Sequence, residues 1–259
     1  MITVSGIDPA AVQKALLVFV RVAGIVGTAP LLGSQYVPAK VKIGLAVAVS
    51  VLVLPVVGPV NLSDSPVGQA ALLCREFAVG AAVGFVTSLV FMGIRLAGSL
   101  VGVQMGFGVV HVMDPETREE VPIIGQMQYL LGALIFLAVD GHHWVLGGLA
   151  RSFEIIPVGA ATLAGAPTEV VARSAATVFT TAVKIAAPVT AALFLTDTAL
   201  AFVARSVPQM NVFVVGFPLK IGVGLSLLLI SLPLFAVVAV HLFSASRDAM
   251  ISMIGAMAP

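Results

Sequence analysis

The sequence predicts an all-α, multi-helix protein of the integral-membrane type. Three observations carry this. Of 259 residues, 59% are hydrophobic and 10% charged, where an average soluble domain is roughly 45–50% apolar and about 25% charged. The mean hydropathy is +1.13. The charges are so sparse that they punctuate long apolar runs rather than cover a surface.

These figures exclude several classes. So little charge cannot clothe a soluble enzyme of this size, and the apolar content excludes a disordered chain. Thirteen Lys and Arg against twelve Asp and Glu leave a net charge of +1, with no basic field to displace counterions from a nucleic acid. At ~20 residues per span the length allows about six or seven spans. Cys74 is the single cysteine, so no internal disulfide or cysteine-based zinc site forms. Met1 to Pro9 lacks a positive stretch and Asp8 precedes the first apolar run, so that run is expected to be retained rather than cleaved.

In order, the first segment runs from about Val12 to Leu32, with Arg21 near its middle. A loop with Pro38, Lys40 and Lys42 follows. Ile43 to Val60 is uncharged, with Pro55 and Pro59 marking its end, and Asn61 to Pro66 reads as a turn. Arg75 and Glu76 precede an apolar stretch from Phe77 to Met113 broken by Arg95. That stretch is too long for one upright span, so it is expected to tilt, bend or end in a re-entrant element. Asp114 to Glu120 reads as a solvated turn. Pro122 to Val139 is the next segment, ended by Asp140-Gly-His-His. Gly159 to Thr168 reads as a linker. Ala175 to Val203 is helical in pattern but holds Lys184, Pro188 and Asp197. Val207 to Gly216 reads as a connection, and Ile221 to Phe243 as the last long run, with Pro233 inside it.

Arg21, Arg95, Lys184 and Asp197 stand within apolar segments. Each costs roughly 2.5–3.5 kcal/mol at a helix centre. Together they predict a chain that faces other protein as much as lipid, with these charges buried and critical for assembly. The positive-inside signal is weak, Lys40 and Lys42 being its best cluster. Gly80 and Gly84, and Gly98, Gly102 and Gly106, repeat every four residues, which places each set on one helix face. Such a ladder serves either packing within the chain or docking against neighbouring subunits.

The sequence holds no HExxH, GxSxG or P-loop, and no catalytic, cofactor-binding or metal-binding residue is assigned. His142 and His143 are adjacent, and adjacent helical residues diverge by ~100° rather than chelate as an i, i+4 pair does. With Trp144 they read as an interfacial anchor.

Specific words then recur along the chain: Thr28-Ala29-Pro30, Val37-Pro38, Gly102-Val-Gln-Met-Gly106, Asp114-Pro115 and Asp140-Gly-His-His-Trp144. Near the end stand Pro208-Gln209-Met210-Asn211-Val212-Phe213 and Gly216-Phe217-Pro218-Leu219-Lys220. In this order and spacing the chain resembles the FliR/SctT family of type III export-gate proteins, with Pro208, Gln209, Asn211, Phe213 and Pro218 in the most specific part. The resemblance covers essentially the whole chain. It implies broken, re-entrant helical hairpins, with a FliP-like part, residues 1–165, fused to a FliQ-like helical hairpin, residues 166–259. It implies a pore complex with FliP and FliQ, together with FlhB and FlhA, in the bacterial inner membrane at the flagellar basal body, largely raised out of the bilayer plane. That pore exports unfolded flagellar proteins, and the role is not enzymatic.

The resemblance also implies a pore plug at about residues 105–115. Gly106 and Gly108 permit irregular backbone there. Met105, Phe107, Val109, Val110 and Met113 supply adaptable apolar surface, and a hydrophobic constriction excludes water and ions. His111 lies in the same segment without an assigned role. Two alternatives stand beside this reading. One is the virulence-secretion branch, SctT, against which the Pro-Gln-Met-Asn-Val-Phe segment favours the flagellar one. The other is a small-solute secondary transporter, which broken helices and intramembrane charges suit but which lacks an inverted repeat here.

Overall fold

The computed structural model describes residues 9–34, 37–58, 60, 65–107, 122–162, 166–209 and 211–259. Among them stand helices and no strand. In chain order they are α1 (Pro9–Thr28), α2 (Ala39–Val53), α3 (Pro66–Met105), α4 (Ile123–Ala138), α5 (Gly141–Ile155), α6 (Ala166–Ser206) and α7 (Val212–Ala256). The acidic turn Asp114 to Glu120, His111, and plug residues Gly108, Val109, Val110 and Met113 lie outside the described residues, as does Met210.

Among the described residues four helices are long and apolar enough to cross a membrane, and α4 with α5 qualifies as a broken pair, giving up to five spans. The expectation of about six or seven spans is therefore corrected. It assumed ~20 residues per span, whereas α3, α6 and α7 hold 40, 41 and 45 residues. At 1.5 Å per residue these are about 60–68 Å long, roughly twice a hydrocarbon core of ~30 Å.

Boundaries shift for local reasons. α3 starts at Pro66 rather than near Phe77, with the Ser65 hydroxyl accepting the Gly68 amide at its first turn (3.0 Å). Pro at the first helical position loses no intrahelical bond. α7 already covers residues 212–216, which read as connection, and the 141–155 helix was not anticipated. Pro188, Pro218 and Pro233 all lie inside helices, as long apolar helices tolerate.

The chain divides into two compact units. One comprises Met1–Leu89, Asp140–Ser174 and Phe243–Pro259, the other Val90–Val139 and Ala175–Leu242. In the first, α1 and α3 pack backbone to backbone. A β-carbon at Gly80 would strike the Arg21 carbonyl oxygen. One at Gly24 would meet the Phe77 oxygen and Ala81 nitrogen at 2.8 and 2.9 Å, and one at Gly84 the Ala29 nitrogen and Ile25 oxygen at 2.8 and 2.9 Å. This glycine ladder thus serves packing within the chain. Leu17, Val18, Val22, Val79, Val83, Leu149 and Ile254 are buried in this unit. Gly148 receives the Met250 side chain, and the Thr162 amide donates to the Met257 carbonyl (2.9 Å).

In the second unit, Ala97, Val101 and Met105 of α3 pack with Ile124 of α4 and with Ala182, Ala186, Val189 and Leu193 of α6. Gly98 abuts the Ile124 carbonyl and Gly125. Phe91 stacks edge-on with Phe136 at 5.3 Å and tilted with Tyr129 at 5.6 Å. Much of α7 is left uncovered, with Leu229, Ile230 and Leu234 exposed.

Candidate functional site

Where α3 ends, glycine chemistry decides the geometry. Gly106 has φ +97°, a conformation that L side chains rarely adopt. Its amide donates to the Val103 carbonyl (3.0 Å), and the Phe107 amide reaches back to the Gly102 carbonyl (3.1 Å). These two bonds form a Schellman cap, in which a left-handed residue satisfies the last carbonyls of the helix. The Phe217 ring of α7 stands where a Gly106 β-carbon would be, and the Met105 side chain fills the matching space at Gly224. Met105 is fully buried, and Phe107 packs half-buried on the same cluster.

Beside this cap three polar side chains from three helices converge. Asp197 of α6 accepts from Gln104 Nε2 at 3.2 Å and from Lys220 Nζ of α7 at 3.1 Å through Oδ2. The shortest Lys220–Asp197 approach, to Oδ1, is 2.8 Å. Lys220 is 17% exposed and Asp197 38%, so the pair is only partly screened by solvent and stronger than a surface pair. The cluster ties the last turn of α3 to α6 and α7, immediately before the residues assigned to the plug.

The first unit holds a second polar cluster. Arg21 and Glu76 are both fully buried. Nε of Arg21 donates to Glu76 Oε2 at 2.6 Å and Nη2 to Oε1 at 3.1 Å, a two-pronged contact. Nη1 donates to the Ser152 and Ile156 carbonyls at 2.9 and 3.0 Å, and the Phe153 ring lies 4.3 Å from the guanidinium carbon. The Gly159 amide donates to Glu76 Oε1 at 2.8 Å, with Gly159 at φ +84°. Each guanidinium nitrogen and each carboxylate oxygen of the pair has a hydrogen-bond partner, which a buried ion pair requires.

The singled-out charges thus take different places. Arg21 is fully buried, Asp197 half-buried, and Arg95 and Lys184 exposed within this chain. Among the described residues neither of the latter has an ion-pair partner. Pro208 and Gln209 are exposed between α6 and α7. Asn211 caps α7, its Oδ1 accepting the Val214 amide at 3.3 Å. Phe213 lies in the first turn of α7 and Pro218 further along, exposed.

Sequence reasoning missed the partners. Glu76 read as a boundary residue beside Arg75, because α3 was started at Phe77. Lys220 and Gln104 stood inside family words without an assigned role. At the break before α5, Asp140 adopts the left-handed conformation, φ 57°. Ligand atoms of Asp140, His142 and His143 lie within 4.8 Å of one another, closer than the helical divergence of the two histidines suggested. All three are exposed, and the Asp140 carbonyl accepts the His143 amide (2.9 Å). Trp144 faces the Arg247 guanidinium at 5.8 Å.

Comparison with known proteins bears on the whole chain. A family model described as "Bacterial export proteins, family 1" matches residues 12–246. The chain is 36% identical to the flagellar biosynthetic protein FliR of Bacillus subtilis over 238 residues, 91% of this chain and 92% of that protein. It is 34% identical to FliR of Pectobacterium carotovorum over 233 residues, 89% and 88% of the two chains. Against FliR of Escherichia coli the identity is 32% over 227 residues, 86% of each.

Proposed function

We propose a function from one premise: the chain belongs to the bacterial export proteins, family 1, with FliR proteins as its relatives. It is a membrane-type component of a flagellar type III export gate. In our reading it assembles with FliP and FliQ into the pore through which unfolded flagellar proteins leave the cell, with FlhB and FlhA as further partners. The site is the bacterial inner membrane at the flagellar basal body. Residues 1–165 act as the FliP-like part and 166–259 as the FliQ-like hairpin. The role is structural, with no catalytic step. Helices of about 60–68 Å against a core of ~30 Å support an assembly that rises out of the bilayer. Relatives with flagellar names favour the flagellar system over the virulence branch.

The observation that carries the gate is the anchored end of α3. A channel for unfolded chains must open to a polypeptide yet hold back ions, and a soft apolar plug meets both demands by resealing through hydrophobic contact. Such a plug needs a fixed root. Met105 and Phe107 are set in the core, Gly106 terminates the helix, and Gln104 is held by Asp197 beside Lys220. The apolar residues Val109, Val110 and Met113 follow as the plug itself.

The test is a deletion of residues 108–113, which leaves the Gly106 cap in place. The complex is expected to co-purify in normal amount with FliP and FliQ, while cells that overproduce it leak ions and grow poorly. Normal assembly with wild-type conductance would refute the plug. Collapse of assembly without leak would make the segment a packing element instead.

A further inference from the structure

We infer that the groove between α3 and α6 seats an apolar helix of a neighbouring membrane subunit that carries a carboxylate where it passes Arg95 and Lys184. The inference rests on the reading of this chain as a subunit of an assembled gate. The groove has a volume of about 840 Å³ and is lined by Leu100, Val103, Val183, Ala187, Ala191 and Phe194 among others. Its alanines leave room for a close backbone, as helix–helix contacts in membranes favour. Neither cation lines the groove itself: Arg95 stands one turn before the lining residue Ser99, and Lys184 one turn before Ala187 and two before Ala191, on the same helix faces.

Charge selects the occupant. Between Glu76 and Asp114 the only Asp, Glu, Lys or Arg is Arg95, and between Arg173 and Asp197 it is Lys184. Each cation therefore sits near the middle of a run long enough to cross a hydrocarbon core. Both are exposed within the chain. Among the described residues no carboxylate lies within ion-pair distance of either, and each described Asp or Glu side chain faces another basic residue instead. Glu76 faces Arg21, Asp140 His143, Glu154 Arg151, Glu169 Arg173, Asp197 Lys220 and Asp248 Arg247. Lipid tails fill an apolar groove but offer two mid-run cations no counter-charge, whereas a partner helix with an Asp or Glu supplies both.

The experiment uses the full chain co-expressed with its gate subunits, with a photo-crosslinking benzoylphenylalanine at Ala187. The expected product is a covalent adduct to one partner subunit, at a helix with an Asp or Glu within one turn of the crosslinked residue. In parallel, Arg95→Glu with Lys184→Glu should lower recovered complex at least about tenfold through like-charge repulsion. Changing the partner's carboxylate to Lys should restore it, and Arg95→Lys with Lys184→Arg should leave it near wild type. Adducts to lipid alone, to this chain's own residues, or to a helix without a carboxylate overturn the inference while assembly stands. Failure of the unmodified chain to co-purify with any gate subunit overturns the assembly reading itself.

Discussion

Removing Arg21 or Glu76 singly should damage the protein more than removing both. Arg21→Met leaves the Glu76 carboxylate fully buried with the Gly159 amide as its described donor, and it strips the Ile156 carbonyl of its guanidinium partner. Glu76→Leu leaves a buried guanidinium with two backbone carbonyls, at 2.9 and 3.0 Å, and no counter-charge. Breaking a buried pair from one side costs ~3–5 kcal/mol. For a chain of this size that lowers the thermal midpoint by about 6–20 °C. The double variant strands no charge. It leaves the Ile156 carbonyl and the Gly159 amide unpaired, ~1–3 kcal/mol each, but each single variant already leaves one of these two groups unpaired and adds a stranded charge, so the double should melt above either single variant. The measurement is retention of the chain in detergent-solubilised complex by gel filtration after stepwise heating, with swimming on soft agar as the cellular readout. Midpoints for both singles within about 2 °C of wild type, or losses that simply add in the double, would refute the argument that this pair is a closed electrostatic unit.

Two further outcomes follow from the same geometry. Asp197→Ala should reduce motility and complex yield, and Lys220→Ala should add little to it, because both remove one interaction; independent, additive losses would count against the shared contact. Gly80→Leu should abolish accumulation of the chain on a membrane immunoblot, since any side chain there meets the Arg21 carbonyl oxygen, whereas Gly44→Ala, with open space around it, should accumulate normally and gain up to about 1 kcal/mol of helix propensity.

The fold class was legible because composition alone forces long apolar helices. Their number was not, since hydropathy marks apolar runs but not how far a helix continues past the bilayer, and α3 begins well before its first long run. Arg21 announced itself as a charge in an apolar segment. Glu76 did not, because beside Arg75 it looks like an exposed boundary. Its signal was present: it is the only acidic residue between Asp64 and Asp114, so it was the nearest candidate to answer Arg21. The Gly106 cap was hidden for a different reason. Glycine in an adaptable apolar segment suggests mobility, whereas here it fixes a helix end through two backbone bonds. The left-handed Asp140 is equally unreadable, since nothing in Asp-Gly-His-His distinguishes a helix stop from a helix restart.

The Arg21 cluster also sets an order of events during synthesis. Arg21 emerges first, Glu76 follows 55 positions later, and the carbonyls of Ser152 and Ile156 come 131 and 135 positions later. At about 5–20 residues per second, the ribosome needs roughly 7–27 s to supply the last of these groups. Throughout that interval α1 carries a cation with an incomplete set of partners. The nascent chain must therefore be kept near the insertion machinery or in a wetted environment until α5 arrives. A premature stop before Ser152 leaves α1 with a cation short of two of its partners, so a helix made long after α1 completes the burial of its charge.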